Sequence, residues 1–224
     1  MKKSNLVVLQ NVSKIYQMDG VSVPALINAS LQIRAGEFVS IMGPSGSGKS
    51  TLMHLIGCLD TPTTGKVLIE GEDVSGLSEE KLARIRNKKI GFIFQSFNLL
   101  PRTSALANVA LPLFYAGKNT AEGEALARES LTEVGLEKRM THFPNQLSGG
   151  EQQRIAIARA LVNKPLIVLA DEPTGSLDTK TGKEIMEIFQ NLNRRGQTVV
   201  VVTHEASIAR LTKRIIKIKD GKLL

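Results

Sequence analysis

The chain has 224 residues and a net charge of +8, from 29 Lys plus Arg against 21 Asp plus Glu, with 42% of residues apolar and 22% charged. That length suits one well-cored domain with room for a small subdomain. The basic excess suits anionic partners, and equally a merely solvated basic surface. The single cysteine, Cys58, excludes an internal disulfide and any multi-Cys metal site, and it fits a reducing compartment.

In chain order, the start Met1-Lys2-Lys3 is followed by only Leu6-Val7-Val8-Leu9 before polar residues return, too short a run for a signal peptide. No segment approaches the ~20 apolar residues of a membrane span, so a soluble, cytosolic chain is expected. Residues 5–36 alternate in short β-like stretches around the turn-prone Asp19-Gly20, as does Lys66 to Glu70, and predict an antiparallel sheet. Phe38 to Met42 is an apolar run that ends at Gly43-Pro44-Ser45-Gly46-Ser47-Gly48-Lys49-Ser50, with a helix expected over Ser50 to Leu59. A second run, Ile90 to Phe94, ends at Gln95. Residues 98–146 are richer in helix formers, notably Ala121 to Val134, with Pro101, Pro112 and Pro144 expected at boundaries. This span reads as a helical subdomain, placed at approximately 98–160, inserted in a single domain over 1–224. Leu147-Ser148-Gly149-Gly150-Glu151 then opens a helical run over Gln152 to Val162. Leu166 to Ala170 ends at Asp171 and Glu172, a helix is patterned over Lys183 to Leu192, and Val199 to Val202 ends at Thr203 and His204.

Continuous apolar runs of this length read as strands buried on both faces, as in a parallel sheet. Ligands of open α/β sheets gather at the carboxyl ends of the strands. The polar residues ending the four runs are therefore expected on one rim. The fold class is α/β: a P-loop NTPase with a mainly parallel core sheet, an antiparallel β subdomain and the inserted helical subdomain.

Gly43 to Ser50 fits G-x-x-x-x-G-K-S between a strand and a helix, the context that gives a P-loop its meaning. Glycines let backbone N–H groups wrap phosphates without Cβ clashes. Lys49 brings a point charge to the β/γ-phosphates, and the Ser50 hydroxyl can ligate Mg²⁺. Asp171, at the end of a buried strand, needs a cation and finds one in the same ion. Glu172 is placed to accept a proton from the water that attacks the γ-phosphate. An acidic pair capping the next helix would explain either carboxylate alone. His204, on a neighbouring strand end, would contact the γ-phosphate and position that water, whereas His54 and His142 read as structural. Ser148 is a natural N-cap, and Gly149 and Gly150 leave the helix N-terminus bare for an anion.

On these motifs the chain resembles the nucleotide-binding ATPase subunit of an ABC transporter along essentially its whole length. The resemblance implies that Tyr16 stacks on adenine. It implies that Gln95 touches Mg²⁺ and the attacking water, that the nucleotide contacts run on from the P-loop to Thr51, and that the loop Ser176-Leu177-Asp178 crosses a dimer interface. It further implies an ATP-dependent head-to-tail homodimer, in which the P-loop of one copy and the Ser148-Gly149-Gly150-Glu151 loop of the other enclose each ATP. Gly57-Cys58-Leu59-Asp60, Phe97-Asn98-Leu99-Leu100-Pro101 and Leu169 to Gly175 are similar to the macrolide-exporter and lipoprotein-release (MacB/LolD) type. That type works on a membrane subunit, here expected on a separate chain, from the cytoplasmic face of the membrane. Ala107 stands where the family usually carries glutamate, and Ser176 where asparagine or alanine is common. A nucleic-acid-handling relative would carry coiled-coil or zinc-bearing insertions between the two loops. Residues 50–147 hold one cysteine and no heptads, so no nucleic-acid partner is expected. A cell-division ATPase that signals to a membrane partner without transport stays open as the alternative.

Overall fold

The computed structural model describes residues 4–18 and 20–224. The Met1-Lys2-Lys3 start and the Asp19 half of the Asp19-Gly20 turn lie outside the described residues. Strands β1 (Asn5–Met18) and β2 (Val21–Arg34) form a long antiparallel pair, which β4 (Thr64–Ile69) and β5 (Glu72–Asp73) extend in the order β2-β1-β4-β5. Short stretches were expected here. Each is instead one strand whose alternation is broken by register shifts beside Asn11 and Asn28, at φ 50° and 47°. Bulges of this kind move the side chains to the other face without ending the strand.

The second sheet contains β3 (Phe38–Met42), β6 (Ile90–Ile93), β7 (Ile167–Asp171), β8 (Thr198–Thr203), β9 (Arg214–Lys219) and β10 (Lys222–Leu223) in the order β10-β9-β3-β8-β7-β6. All its pairings are parallel except the β9–β10 hairpin. The apolar runs are buried on both faces. Val39, Ile41, Val200, Val202, Ile167 and Leu169 face a core shared with the antiparallel sheet, α1 (Lys49–Ile56) and α2 (Glu79–Lys89). The alternate residues Phe38, Val199, Val201, Val168 and Ala170 face a second core. Each of the Val, Ile, Leu and Phe side chains among them contributes about 1.5–3 kcal/mol of burial.

That second core is covered by α3 (Ala105–Tyr115), α4 (Thr120–Glu133), α5 (Gly149–Leu161) and α6 (Thr179–Arg194), and α7 (Ala206–Ala209) follows β8. The helices α3, α4 and α5 pack on one another. Pro101 falls in a turn and Pro144 opens a short 3₁₀ turn, Pro144–Gln146. Pro112 corrects the expectation of a boundary, since it lies inside α3. Only one helical turn follows it, and its carbonyl is held by the Asn87 and Asn163 side-chain amides at 2.9 and 3.3 Å. Those partners fix the end of a helix that a proline weakens.

Candidate functional site

Pairing in the parallel sheet brings the strand ends level. Met42 pairs with Thr203, Asp171 with Val202, and Ile93 with Ala170. Gly43, His204, Glu172 and Gln95 therefore leave the sheet on one edge, as the four apolar runs implied.

After β3 the chain turns through Gly46 and Gly48, at φ 75° and 100°, into α1. A Cβ at Gly43 would overlap the Ile218 carbonyl oxygen, and one at Gly48 the Ala25 carbonyl oxygen, so the loop lies directly against β9 and β2. Gly221, in the β9–β10 turn, donates its N–H to the Ser47 carbonyl at 3.0 Å and ties the loop down. Within it, Ser47 N donates to the Pro44 carbonyl, while the N–H groups of Gly46, Gly48, Lys49, Ser50 and Thr51 have no partner among the described residues. The first turn of α1 holds no acidic residue and no side-chain cap. Unpaired, converging N–H groups at a helix N-terminus make an anion nest. The Lys49 ammonium is buried. It donates to the Gly43 and Pro44 carbonyls at 2.9 and 2.8 Å and makes no ion pair among the described residues. A buried cation held only by carbonyls is a group in want of an anion.

Across β8, Asp171 ends β7 partly buried. Burial, then the charge of Glu172, pushes its carboxyl above the usual range, while the nearby His54 and Lys49 act against that rise. A carboxylate so placed gains from a divalent cation. Glu172 has φ 45°, in the left-handed region that costs a side-chain-bearing residue strain. The conformation is held by its N–H to the Val202 carbonyl at 2.9 Å and by its carbonyl, which accepts from Gly175 N at 3.0 Å. The turn aims its carboxylate at His204, whose Nδ1 lies 2.7 Å and whose backbone N–H lies 3.2 Å from Oε1. The hydrogen bond to Glu172, then its charge, raises the imidazole pKa above its ordinary value. Gln95 is exposed beside these groups. Its side-chain amide lies over Gly175, and its carbonyl accepts from the Ser176 hydroxyl at 3.3 Å.

Tyr16 stands on β1 next to the loop, its hydroxyl hydrogen-bonded to Asp60 Oδ2 at 2.8 Å. Burial, then Asp60, raises its phenol pKa, and the Thr51 hydroxyl opposes this. Among the described residues no three His, Cys, Asp or Glu side chains gather to cage a metal. The donors here, the Ser50 hydroxyl, the Gln95 amide and the one carboxylate of Asp171, suit Mg²⁺, which takes few protein ligands and completes its shell from phosphates and water.

The Ser148 loop lies apart from this cluster. A Cβ on Gly149 would approach Leu177 and Phe97, and one on Gly150 would meet the Thr181 side chain. The N-terminus of α5 is less bare than expected. Ser148 Oγ accepts from Glu151 N at 3.3 Å, and Glu151 Oε2 folds back to accept from Ser148 N at 2.9 Å, a reciprocal capping box. Arg139 Nε holds the other carboxylate oxygen at 2.8 Å, which keeps Glu151 below the usual carboxylate range. The Glu151 carboxylate is thus engaged within its own chain. The N–H groups of Gly149 and Gly150 remain without partners among the described residues. Asp178 likewise spends its carboxylate as the N-cap of α6, accepting from Lys180 N and Thr181 N at 3.0 Å each.

Sequence reasoning missed two supporting groups. Lys14 and Asp60 surround Tyr16, and the same-face spacing of Lys14 and Tyr16 on a strand was the available signal. Arg159 of α5 donates to the Asn98 and Phe97 carbonyls at 2.6 and 2.8 Å and holds two successive left-handed residues after Gln95, at φ 60° and 50°. No sequence pattern announces that bond.

A parallel sheet with an anion nest after one strand and adjacent carboxylates two strands away is the architecture of a P-loop nucleotide-binding protein. The chain belongs to the ABC transporter family, whose sequence profile matches residues 26–175, and it is an ATP-binding cassette of that family. An uncharacterized ABC transporter ATP-binding protein of Thermotoga maritima is 57% identical over 215 residues, covering 96% of this chain and 92% of that one. The macrolide export ATP-binding/permease protein MacB of Brucella abortus is 49% identical over 219 residues, covering 98% of this chain but 34% of that protein. The fold superimposes with a TM-score of 0.89 on the ATP-binding cassette MJ0796 of Methanocaldococcus jannaschii, solved as a dimer in a post-hydrolysis state bound to ADP and Pi. That match has 52% identity and covers 97% of this chain and 96% of the other.

Proposed function

We propose that this chain binds ATP with Mg²⁺ and hydrolyses it as one half of a head-to-tail homodimer. In this reading, turnover drives a separate membrane subunit of the MacB/LolD type, at the cytoplasmic face of the membrane. The observation that carries the reading is the nest of N–H groups without partners among the described residues, closed by a buried Lys49 that makes no ion pair among them. Among the described residues no helix is long and apolar enough to cross a membrane, which fits a membrane subunit on another chain.

Gly46, Gly48 and Lys49 to Thr51 bind the β- and γ-phosphates, Lys49 turning its ammonium from the Gly43 and Pro44 carbonyls to phosphate oxygen. Tyr16 takes the base. Ser50, Asp171 and Gln95 would hold a magnesium ion, which would supply neutralisation of the developing phosphate charge. Glu172 accepts the proton of the attacking water, and His204, with Nδ1 fixed on Glu172, offers its other ring nitrogen to the γ-phosphate. The N–H groups of Gly149 and Gly150 serve the ATP of the partner copy. Glu151 and Asp178 act at that interface by shaping helix ends, since both carboxylates already have partners. Residues 98–160 form the helical subdomain, supported by the mutual packing of α3, α4 and α5.

Copurification of the tagged chain from its native membrane, followed by ATPase assay of the complex, tests this. A few-span permease that raises ATP turnover is expected. A chain that turns over ATP but captures no integral membrane protein would overturn the coupling.

A further inference from the structure

Tyr16 is fixed more tightly than a strand tyrosine needs. Its hydroxyl donates to Asp60 Oδ2 at 2.8 Å, while Lys14 Nζ reaches Asp60 Oδ1 at 2.5 Å and the Thr61 carbonyl at 2.8 Å. The same ammonium lies 5.0 Å from the centre of the Tyr16 ring, within cation–π range. Asp60 follows the end of α1, after Cys58 at φ 55°, and its Oδ1 also accepts from Thr61 N at 2.7 Å. Two further bonds pin this segment to β1: Ile15 N to Thr63 Oγ1 at 3.0 Å, and Thr63 N to the Ser13 carbonyl at 2.9 Å. The helix whose first turn carries the phosphate nest therefore reaches Tyr16 with its far end, through Asp60. Burial works against charge on Asp60, but the bonds from Lys14 and Tyr16 outweigh it and hold the carboxyl below its usual range.

We infer that Asp60 is the positioning residue of the base platform, holding the Tyr16 phenol and the Lys14 ammonium in one arrangement so that the base meets a pre-set ring. The inference rests on the proposed role of Tyr16 as that platform. A phenol tethered at its oxygen loses its swing about χ1 and χ2 before the nucleotide arrives, and ordering that is already in place is not charged against binding. The ammonium below the ring leaves the opposite face for the base, because one ring face cannot hold both. Asp60 itself touches no part of the nucleotide in this arrangement. Its removal should therefore weaken only ligands that carry a base.

The test compares equilibrium binding of Mg-ATP with that of Mg-tripolyphosphate, which has the phosphates and no base, in the full chain. Tyr16→Ala should weaken ATP roughly tenfold and leave tripolyphosphate unchanged, as expected for a lost stacking partner. Asp60→Ala and the near-isosteric Asp60→Asn should weaken ATP by roughly threefold to tenfold, again with tripolyphosphate unchanged. In a Tyr16→Ala background, either Asp60 change should add nothing. Asp60→Asn keeps the size of the side chain and reports if Asp60→Ala fails to fold. If both Asp60 variants keep the wild-type ratio of ATP to tripolyphosphate affinity while Tyr16→Ala lowers it, the positioning role is wrong and the platform stands. Equal weakening of the two ligands would place the Asp60 effect on the phosphate loop and also overturn the inference. An unchanged ratio in Tyr16→Ala would remove the platform, and the inference with it.

Discussion

Replacing Glu172 by Gln separates accepting a proton from keeping the site folded. The carboxylate is little exposed, and its partners are His204 Nδ1 at 2.7 Å, His204 N at 3.2 Å and the Thr203 hydroxyl at 3.5 Å. An amide of the same shape can keep its oxygen where Oε1 stands, accepting from the His204 backbone N–H and from an imidazole protonated at Nδ1, and turn its NH₂ to the Thr203 hydroxyl oxygen. The exchange should therefore cost at most about 1 kcal/mol of stability, the scale of one neutral hydrogen bond. It removes every lone pair basic enough to take a proton from water. A positioned general base is worth about 10²- to 10⁴-fold, which is roughly 2.7–5.4 kcal/mol of barrier at 1.36 kcal/mol per decade. Phosphate release at saturating ATP should fall by that factor, ATP affinity should stay within about threefold, and size-exclusion chromatography should reveal an ATP-trapped dimer. Turnover within about threefold of wild type would refute the assignment. A loss of turnover with an equal loss of binding would show that Glu172 shapes the loop instead of accepting the proton.

Lys49→Ala should weaken ATP binding by about tenfold to a hundredfold, the worth of charge-assisted hydrogen bonds of about 1.5–3 kcal/mol; unchanged affinity by equilibrium titration would contradict the nest. Gly48→Ala puts a Cβ at φ 100° against the Ala25 carbonyl. It should cost about 2–3 kcal/mol, read as a fall in Tm of roughly 5–10 °C. The raised His204 pKa comes first from its hydrogen bond to Glu172, so any stability it adds is complete below the unfolded pKa of about 6.5 and is lost as pH rises through the folded value. The ring is exposed, which limits that contribution to below about 1 kcal/mol, but an NMR titration should find its midpoint lowered in Glu172→Gln. An unmoved midpoint would dissolve the pair. Arg159→Lys keeps the charge but not the two-pronged reach to Phe97 and Asn98, and should lower stability by about 2–4 kcal/mol in a urea melt.

The four central strands of the parallel core were legible because they are mostly apolar runs rich in Val, Ile and Phe. Their ends, at Gly43, Gln95, Asp171 and Thr203, are where the polar residues begin. Strand β9 was less legible, since Arg214–Lys219 alternates Ile with Lys and sits at one side of the core, and α2 carries mostly charge over Glu79–Lys89. Pro112 misled because the rule against internal prolines speaks of the helix alone, while Asn87 and Asn163 come from far along the chain. At the site, residue identity was readable but occupation was not. Ser148-x-x-Glu151 is the sequence form of a capping box, yet the contact from Arg139 that commits the Glu151 carboxylate depends on tertiary packing. Asp178 is a similar case, a residue expected at an interface whose carboxylate is spent on its own helix.

These commitments bear on why one chain should carry two loops proposed to bind phosphate. In the proposed reading, the edge that carries the Gly43–Ser50 loop gathers N–H donors, a lysine, carboxylates and an imidazole. The loop at Ser148 offers two N–H groups without partners among the described residues, while its own carboxylate, Glu151, is engaged by Ser148 and Arg139. Its glycines abut Leu177, Phe97 and Thr181, not the nest. A second copy turned head to tail would bring the free N–H groups of one chain to the phosphates bound by the other, and the exchange would be reciprocal, as a two-fold axis requires. In the proposed dimer, the capping box and the Arg139 contact together would hold the Glu151 charge aside and keep it from competing with the partner's phosphate for the same two donors. Removing Arg139, which leaves Glu151 held by Ser148 alone, should therefore weaken ATP-dependent dimerisation while leaving nucleotide binding to the single chain intact, and analytical ultracentrifugation with and without ATP would separate the two. A variant that dimerises with ATP as the wild type does would mean that the position of Glu151 is immaterial to the interface.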